Sequence, residues 1–490
     1  MTDNRPVVNS FDVFNTLIAR RCIEPRAIRF GIAATLDYPD FPAHRHAAEV
    51  AVEHRDYTID DIYAELARAQ NLSPQRAEDL KQAEIEAELA NVIPIAENLG
   101  QVRPGDLLVS DMYLGEENIR RLLDHAGLTT EASLVVTSSG KARGTVWPPL
   151  LQRFRIARHL GDDPRTDIAS PRSFGIEAVH TTVATPNDVE SYLAQQRLPQ
   201  LAAWLREARL ASRHPDPALR QVQLVQIAIN VPLLMLCAFH LLRLGRQLGT
   251  DRLLFSARDC NLWIHVYRLL AERFGGEVPA LYFQTNRLMR TQPSADYLAY
   301  CHTVISDRSL IVDICGTGWS SSMLLDQLGL AGGALFFIHD FSRDPIRAQY
   351  DAMAKPKLAR PIHSILGTVA PGLFNGSHLE MCNFADHPPA RDVAPVAGAF
   401  VPVLEPDERP APMREAVAVQ RDAFFQALSL AGSYDFSELE RLDEAALPVI
   451  VGTLYAALSR QAPLPPHCLD FHKSEDHRIM TELAKTGGVE

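Results

Sequence analysis

Short apolar runs, each ending at a polar or acidic residue, recur through the first 185 residues of the chain. VVNSF (7–11) stops at Asp12, LLVS (107–110) ends in Ser110, SLVVT (133–137) gives way to a Ser-Ser-Gly loop, and IEAVH (176–180) closes the series. Runs of this length, bounded by turn-forming residues, read as strands buried on both faces, which is the habit of parallel sheets. Helical spacing fills the gaps at 115–125 and near 146–157, so strands and helices alternate in a βαβ rhythm. The first interval is different. Residues 22–99 contain YTIDDIYAELARAQ and AEDLKQAEIEAELANVI, both with apolar positions at helical spacing, and predict a helical insertion. The run Glu84-Glu86-Glu88 reads as the solvated face of the second of these helices.

The pattern restarts after a helical connector over 186–220. A second α/β region spans 221–385, with strands expected at 251–259, 279–284, at the start of 309–325, where the strand ends in Asp313, and at 334–341. Residues 386–412 are rich in Pro and Ala and read as an irregular arm. Helical spacing returns over 413–430 and 436–460 in a C-terminal region, 413–490, whose last thirty or so polar residues are expected to fray. The fold class is therefore α/β. A parallel sheet made by 1–21 and 100–185 carries the helical insertion, and a second α/β domain and a helical C-terminal tail follow. The most apolar stretch, 223–243, is interrupted by Gln226, Asn230, Pro232 and His240, which fits a buried helix better than a membrane span.

Composition narrows the function classes. A formal net charge of −12 argues against a broad surface for nucleic acid or anionic membrane. Seven scattered cysteines without a CxxC pair read as reduced thiols of a cytoplasmic protein rather than a disulfide frame or zinc site. The N-terminus lacks the apolar core of a signal peptide. Oligomeric state is open.

Candidate chemistry gathers where the first set of strands ends. An acid at the C-terminal end of a parallel strand lies where open α/β sheets bind ligands, so the Asp12 carboxylate can attack phosphorus or hold a metal. Ser110 can donate to a phosphoryl oxygen, or serve only as the N-cap of the helix at 115–125. Lys141, in SSGKARG, can offset phosphoryl charge. HLGDDPRTDIAS (159–170) brings Asp162, Asp163 and Asp167 around a turn, and Mg²⁺ needs only a few hard carboxylate oxygens beside a substrate phosphate. Each element also has a plain structural use as a strand-end cap, a surface lysine or a loop-shaping acid. Four in this order, each after a strand, point jointly to phosphoryl transfer on a small phosphorylated substrate.

This arrangement resembles the haloacid dehalogenase (HAD) superfamily over about residues 5–185. The resemblance implies that Asp12 is nucleophile and magnesium ligand, and that Ser110 and Lys141 bind phosphate. Asp162, Asp167 and the backbone carbonyl of Phe14 would complete the protein ligands to Mg²⁺, and the helical insertion would be a cap that closes over the site. Thr16 and Asp111 are further candidate substrate contacts. Phosphatases of the superfamily usually carry a general acid two residues after the nucleophile, where this chain has Phe14; Asp111 and Asp163 are the local candidates to replace it. SFDVFNTLIAR, SDMYL and the ExExE run also resemble a two-domain branch associated with glycosyltransferases and surface polysaccharides, in which Asn15 stands for an Asp. By that association the substrate would be a sugar phosphate.

The second α/β region has one chemical signal of its own. In VDICGTGWSSS a strand carries Asp313 into a Gly316-Thr317-Gly318 loop that opens a helix, a geometry able to present backbone N–H groups to an anion. The segment faintly resembles the diphosphate-sugar loop of phosphoribosyltransferases. Arg258-Asp259, Arg287 and Arg290 could join Asp313 and Thr317 in a phosphate or sugar-phosphate pocket. Three functions stay open at this point: a Mg²⁺-dependent HAD hydrolase, a catalytically weak HAD module that binds a ligand, and main activity in the second domain.

Overall fold

A computed structural model of the chain describes residues 4–276, 278–341, 355–367 and 376–461, with isolated positions between 464 and 482. The expected fraying of 461–490 lies largely outside the described residues. The chain divides into two compact units, Met1–Arg213 and His214–Glu490.

The first unit is an α/β fold around a five-stranded sheet of order β5-β4-β1-β6-β7. Its strands are β1 (Val7–Phe11), β4 (Leu107–Asp111), β5 (Ser133–Thr137), β6 (Arg155–Gly161) and β7 (Glu177–His180). Every pairing in it is parallel. Apolar residues of both parities along these strands are buried, as the uninterrupted runs require. Val8, Leu107 and Val109 pack with Trp147 and Leu150 on one face, while Phe11 and Leu108 face a larger cluster on the other.

Between β1 and β4 a two-stranded antiparallel ribbon, β2 (Ile18–Arg20) with β3 (Val92–Pro94), brackets four helices. These are α1 (Ala27–Thr35), α2 (Phe41–Val52), α3 (Ile59–Gln70) and α4 (Pro74–Asn91). Local sequence sets two of the boundaries. Thr58 and Asp61 form a reciprocal capping box at the start of α3, and Ser73 caps α4 just ahead of Pro74 at its first position. Phe41, Ile62, Leu66 and Leu80 from these helices join Phe11, Leu108 and Leu160 in a single core cluster.

The glutamate run on α4 is not a solvated face. Glu84 and Glu88, four residues apart and so on one side of the helix, are buried, and only Glu86 is exposed. Glu84 receives both forks of the buried Arg45 guanidinium at 2.8 Å and the hydroxyls of Tyr63 and Tyr113 at 2.7 and 2.9 Å. Glu88 receives Nε and Nη2 of Arg20 at 2.7 and 2.9 Å. The carboxylates are inside because each meets a bidentate guanidinium.

The second unit has its own all-parallel sheet, of order β12-β11-β10-β8-β9. The strands are β8 (Arg252–Ser256), β9 (Ala280–Phe283), β10 (Ser309–Gly316), β11 (Ala334–Asp340) and β12 (Ile362–Ser364). Pro217–Gln247 forms one helix, long and apolar enough to cross a membrane, yet 89% of its most apolar window is buried inside the protein, as expected for a core helix. Its polar interruptions have partners. Asn230 donates to Gln226 and Asn383, at 3.3 and 3.1 Å, across a π-helical turn over Gln226–Asn230.

Two expectations for the C-terminal part change. Residues 386–412 are not irregular throughout: β13 (Ala390–Val396) and β14 (Ala399–Leu404) form an antiparallel hairpin turning at Ala397-Gly398, both at positive φ. Pro395 and Pro402, which made the segment look structureless, sit within a two-stranded ribbon that needs few donors from them. The last long helix runs Ala446–Ser459, and residues 437–441 ahead of it form a 3₁₀ turn instead of continuing it.

Candidate functional site

In the first sheet the chain leaves β1 towards β4 on one side and leaves β6 towards β7 on the other. Strand order therefore reverses between β1 and β6, and the crevice beyond their C-terminal ends is where such sheets bind ligands. Asp12 follows β1 there, and its backbone N–H donates to the Leu160 carbonyl of β6 at 2.8 Å. Asp162 follows β6. Asp167 comes from the π-helical turn Pro164–Ala169, which Asp163 caps by accepting from the N–H groups of Arg165 and Thr166 at 2.8 and 2.7 Å. A Cβ at Gly161 would lie 2.3 Å from Cβ of Asp167, so only glycine lets this turn fold back on the strand end.

The three carboxylates converge. Asp12, Asp162 and Asp167 each offer an oxygen within 4.8 Å of the other two. Lys141, buried in the short helix Gly140–Arg143, donates from Nζ to Asp12 and, at 2.7 Å, to Asp167. Behind Asp167 stands His159, fully buried on β6. Its Nε2 lies 3.3 Å from Asp167 and its Nδ1 2.8 Å from the Ser10 hydroxyl, with the ring edge-on to Trp147 at 5.0 Å. A neutral imidazole with Nε2–H donating and Nδ1 accepting satisfies both partners.

Charge and burial push these groups apart. Burial, added to the nearby Asp167 and Asp162 charges, drives Asp12 up to about 7 despite Lys141. Burial and the Asp167 charge raise Asp162 to about 6. For Asp167 burial acts in the same sense but is outweighed by the His159 hydrogen bond and the Lys141 ammonium, which hold it at about 2. Burial alone would lower Lys141, yet the two carboxylates it touches hold it above its ordinary value. His159 is lowered, chiefly by burial, and so stays neutral.

Three carboxylates against one ammonium leave an excess of negative charge among hard oxygen donors. That donor set could hold a metal ion.

The remaining candidates of this unit fall around the cluster in different ways. Ser110 is buried within β4, the strand beside β1, and it does not cap the following helix, which starts at Glu116 behind Gly115 at φ 80°. Asp111 is taken up by the Lys141 loop: it accepts from the backbone N–H groups of Lys141 and Ala142 at 3.0 and 3.1 Å and from the Thr137 hydroxyl. Thr16 is fully buried, its hydroxyl has no hydrogen-bond partner, and its carbonyl accepts from Asn98 at 2.8 Å. The Phe14 ring lies under the Arg20 guanidinium, 4.5 Å from its centroid. Asn15 adopts a left-handed conformation, φ 57°, and its side chain hydrogen-bonds Asp162. Above the Lys141 loop, residues 56 and 57 of the helical insertion touch it directly. Tyr57 donates its N–H to Ser138 at 2.9 Å, and Ser139 donates to Asp56 at 2.8 Å.

His159 and Asn15 are the residues that motif reading gave no role. A lone His just ahead of the acidic turn, in RIARHLGDD, was the available signal for the first.

Arg258, Asp313 and Thr317 belong to the second unit's sheet, which reverses its strand order between β8 and β10. Asp313, on β10, pairs with the buried Arg290 at 3.1 Å, and Arg290 also donates to Ser256 and Thr285 at 3.0 Å each. Burial raises Asp313 in spite of that partner. Arg258 follows β8. Thr317 accepts from the N–H of Trp319 at 3.4 Å, and Gly318, at φ 76°, opens the helix Trp319–Gln327.

No protein-family model matches the chain, and no curated protein matches it.

Proposed function

We propose that the first unit is a HAD-like, Mg²⁺-dependent phosphoryl-transfer enzyme acting on a small phosphorylated metabolite, with Asp12 as nucleophile. One observation carries this reading: Asp12, Asp162 and Asp167 meet within 4.8 Å at the strand-order reversal, and a buried lysine bridges two of them. Acids that merely cap loops have no need to crowd together in a low-dielectric crevice, where mutual repulsion is costly.

In the proposed reaction one carboxylate oxygen of Asp12 attacks phosphorus in line with the departing oxygen and forms an aspartyl-phosphate. The Lys141 ammonium, already between Asp12 and Asp167, offsets charge on the nucleophile and on the phosphoryl oxygens. Ser110, on the strand beside β1, would donate to a phosphoryl oxygen. Asp12, Asp162, Asp167 and the Phe14 carbonyl would hold Mg²⁺, which when bound supplies charge neutralisation at the phosphoryl oxygens. His159 fixes the direction of Asp167 through Nε2–H. The insertion between β2 and β3 acts as the cap, with residues 56 and 57 at the edge of the Lys141 loop.

The test compares the wild-type chain with Asp12→Asn across a set of phosphorylated metabolites in Mg²⁺. Turnover in the first and none above background in the second is expected. Equal turnover by both removes the proposal.

A further inference from the structure

The segment VDICGTGWSSS of the second unit takes no part in the reaction proposed at Asp12, and it borders a cavity of about 280 Å³. One wall is the opening turn of the helix Trp319–Gln327, and the other is the stretch that leads into β12. Thr317 and Ser322 on the first wall and Lys355 and Arg360 on the second give the polar lining, and Trp319 and Leu358 are apolar. Among the described residues that line it, two are cationic and none is acidic, in a chain whose net charge is −12. Arg258 and Asp313, expected beside Thr317, do not border it.

Gly318, at φ 76°, brings the helix start so close to Ile362 and Leu335 that a Cβ would stand 2.9 Å from each. The helix opens without a hydrogen-bonded side-chain cap, so its first N–H groups leave a positive partial charge at the cavity. Ser322, in that turn, is 6% exposed, and its hydroxyl has no hydrogen-bond partner among the described residues. Buried Arg360 donates to the carbonyls of Gly332 and Leu330 at 2.5 and 2.6 Å and to Asp326 at 3.1 Å, while its Nε is left without a partner. Lys355 is exposed at the rim, and Leu358, 47% exposed, turns an apolar side chain to water. Buried donors without acceptors cost free energy, and a bound anion supplies acceptors.

We infer that this cavity binds a phosphate monoester carrying a flat, weakly polar ring, the chemistry of a nucleoside monophosphate. The phosphate lies at the helix start, where backbone N–H groups, the Thr317 and Ser322 hydroxyls and the Lys355 ammonium meet its oxygens. The ring packs on Trp319 and Leu358. A bare sugar phosphate fits less well, because its ring hydroxyls need amide or carboxylate partners and no lining residue supplies either. A volume near 280 Å³ is at the small end for ligand sites and suits a mononucleotide rather than a dinucleotide. The inference is separate from the reaction proposed for the first unit, and it places a binding site, not a second chemistry, in the other sheet.

Titration calorimetry of the full chain in chelator, with AMP, adenosine, ribose 5-phosphate and inorganic phosphate as probes, tests it. Without a cation the carboxylates around Asp12 repel phosphate, so the heat reports the second unit. AMP is expected to bind at about one site per chain, and about tenfold or more tightly than any of the other three probes. Ser322→Ala, a small change within the turn, should weaken AMP about threefold, and Lys355→Glu about tenfold or more, the scale of hydrogen bonds to a charged group. Lys357→Glu, an exposed neighbour that does not line the cavity, should leave the affinity unchanged. No saturable AMP binding in the millimolar range overturns the inference, as does an AMP affinity that neither cavity variant alters. Ribose 5-phosphate binding as tightly as AMP overturns the assignment of the ring. None of these results bears on turnover at Asp12, which the Asp12→Asn comparison tests by itself.

Discussion

At position 12 a carboxyl group that would ordinarily ionise near 3.8 keeps its proton to about 7, because it is buried beside two other acids. The sign of the consequence is fixed by linkage. Between those two values the folded chain holds a proton that the unfolded chain has lost, so stability falls as pH rises through the window and levels off above it. Asp162 adds to the fall between about 4 and about 6. Asp167 acts oppositely: its folded value of about 2 lies below its ordinary one, so its contribution is complete above about 4 and disappears as pH drops through 2. Urea melts of the metal-free chain in chelator should therefore show stability declining from pH 4 to pH 7, with a shallower decline in Asp12→Asn. Millimolar Mg²⁺ should flatten the wild-type profile, since a bound cation keeps the carboxylates ionised in place of protons. A wild-type profile that is flat without metal would contradict the crowding of these acids. His159 permits a second test on the same cluster. His159→Ala removes one of the groups that orient Asp167, beside Lys141 and the Asp163 N–H, and calorimetric Mg²⁺ or Mn²⁺ affinity should drop by about tenfold, the lower end of the usual cost of losing a group that orients a ligand. His159→Gln, which retains a donor for Asp167, should recover part of that loss.

Among the elements, α4 shows what a single sequence conceals. Its Glu84, Glu86 and Glu88 look alike in the sequence, and the helix pattern predicts exposure for all three. What separates them is Arg45 on α2, Tyr63 on α3, Tyr113 after β4 and Arg20 on β2, partners between 21 and 68 residues away that no local periodicity announces. The strands were legible for the opposite reason. A parallel strand buried on both faces writes itself as an unbroken apolar run, and VVNSF, LLVSD and SLVVT each became a strand of the first sheet. Asp12 and Lys141 were legible because each closes or follows such a run, whereas Asp162 and Asp167 were legible from the acidic turn GDDPRTD alone, since β6, RIARHLG, is no such run and its start was read as the end of a helix near 146–157. His159 was not, since it lies in RIARHLG, a strand with two arginines and no unbroken apolar run, and the hairpin at 390–404 was not, since proline argues against strands except in ribbons of this kind. The corrected view of α4 has a measurable consequence. Glu84→Ala removes the bidentate partner of a fully buried guanidinium, which keeps only Glu49, and an acceptor from two tyrosine hydroxyls, and should cost about 3 kcal/mol in urea denaturation of the chain, the low end for breaking a buried pair from one side. Glu86→Ala, on the exposed face, should stay within about 0.5 kcal/mol. Similar losses for both variants would return α4 to a solvated helix.

For the whole molecule, two units built on the same plan raise the question of where the chemistry resides. Each sheet is parallel, each reverses strand order once, and each carries an acid near the reversal, Asp12 in one and Asp313 in the other. The two acids differ in their company. Asp12 sits with two further carboxylates and one lysine, an excess of negative charge suited to a cation. Asp313 sits with a buried arginine that also serves Ser256 and Thr285, an ion pair whose balance the nearby Glu380 charge tips towards the acid side. The strand-loop-helix pattern of VDICGTGWSSS was visible in the sequence, but this balance was not, because Arg290 reaches Asp313 from a different element. A structural ion pair and a cation-binding cluster respond differently to loss of the acid. Asp313→Ala leaves Arg290 buried without its counter-charge, so hydrogen exchange should quicken in β10, β8 and the helix Arg287–Thr291. The same variant should leave Mg²⁺ affinity and the turnover of phosphorylated metabolites at wild-type values, and residues 1–213 at wild-type protection. Asp12→Asn should do the reverse, weakening cation binding while exchange across 214–490 is unchanged. If instead Asp313→Ala abolished turnover with its protection pattern intact, the acid of the second unit would be taking part in the reaction, and the assignment of the chemistry to the first sheet alone would have to be given up.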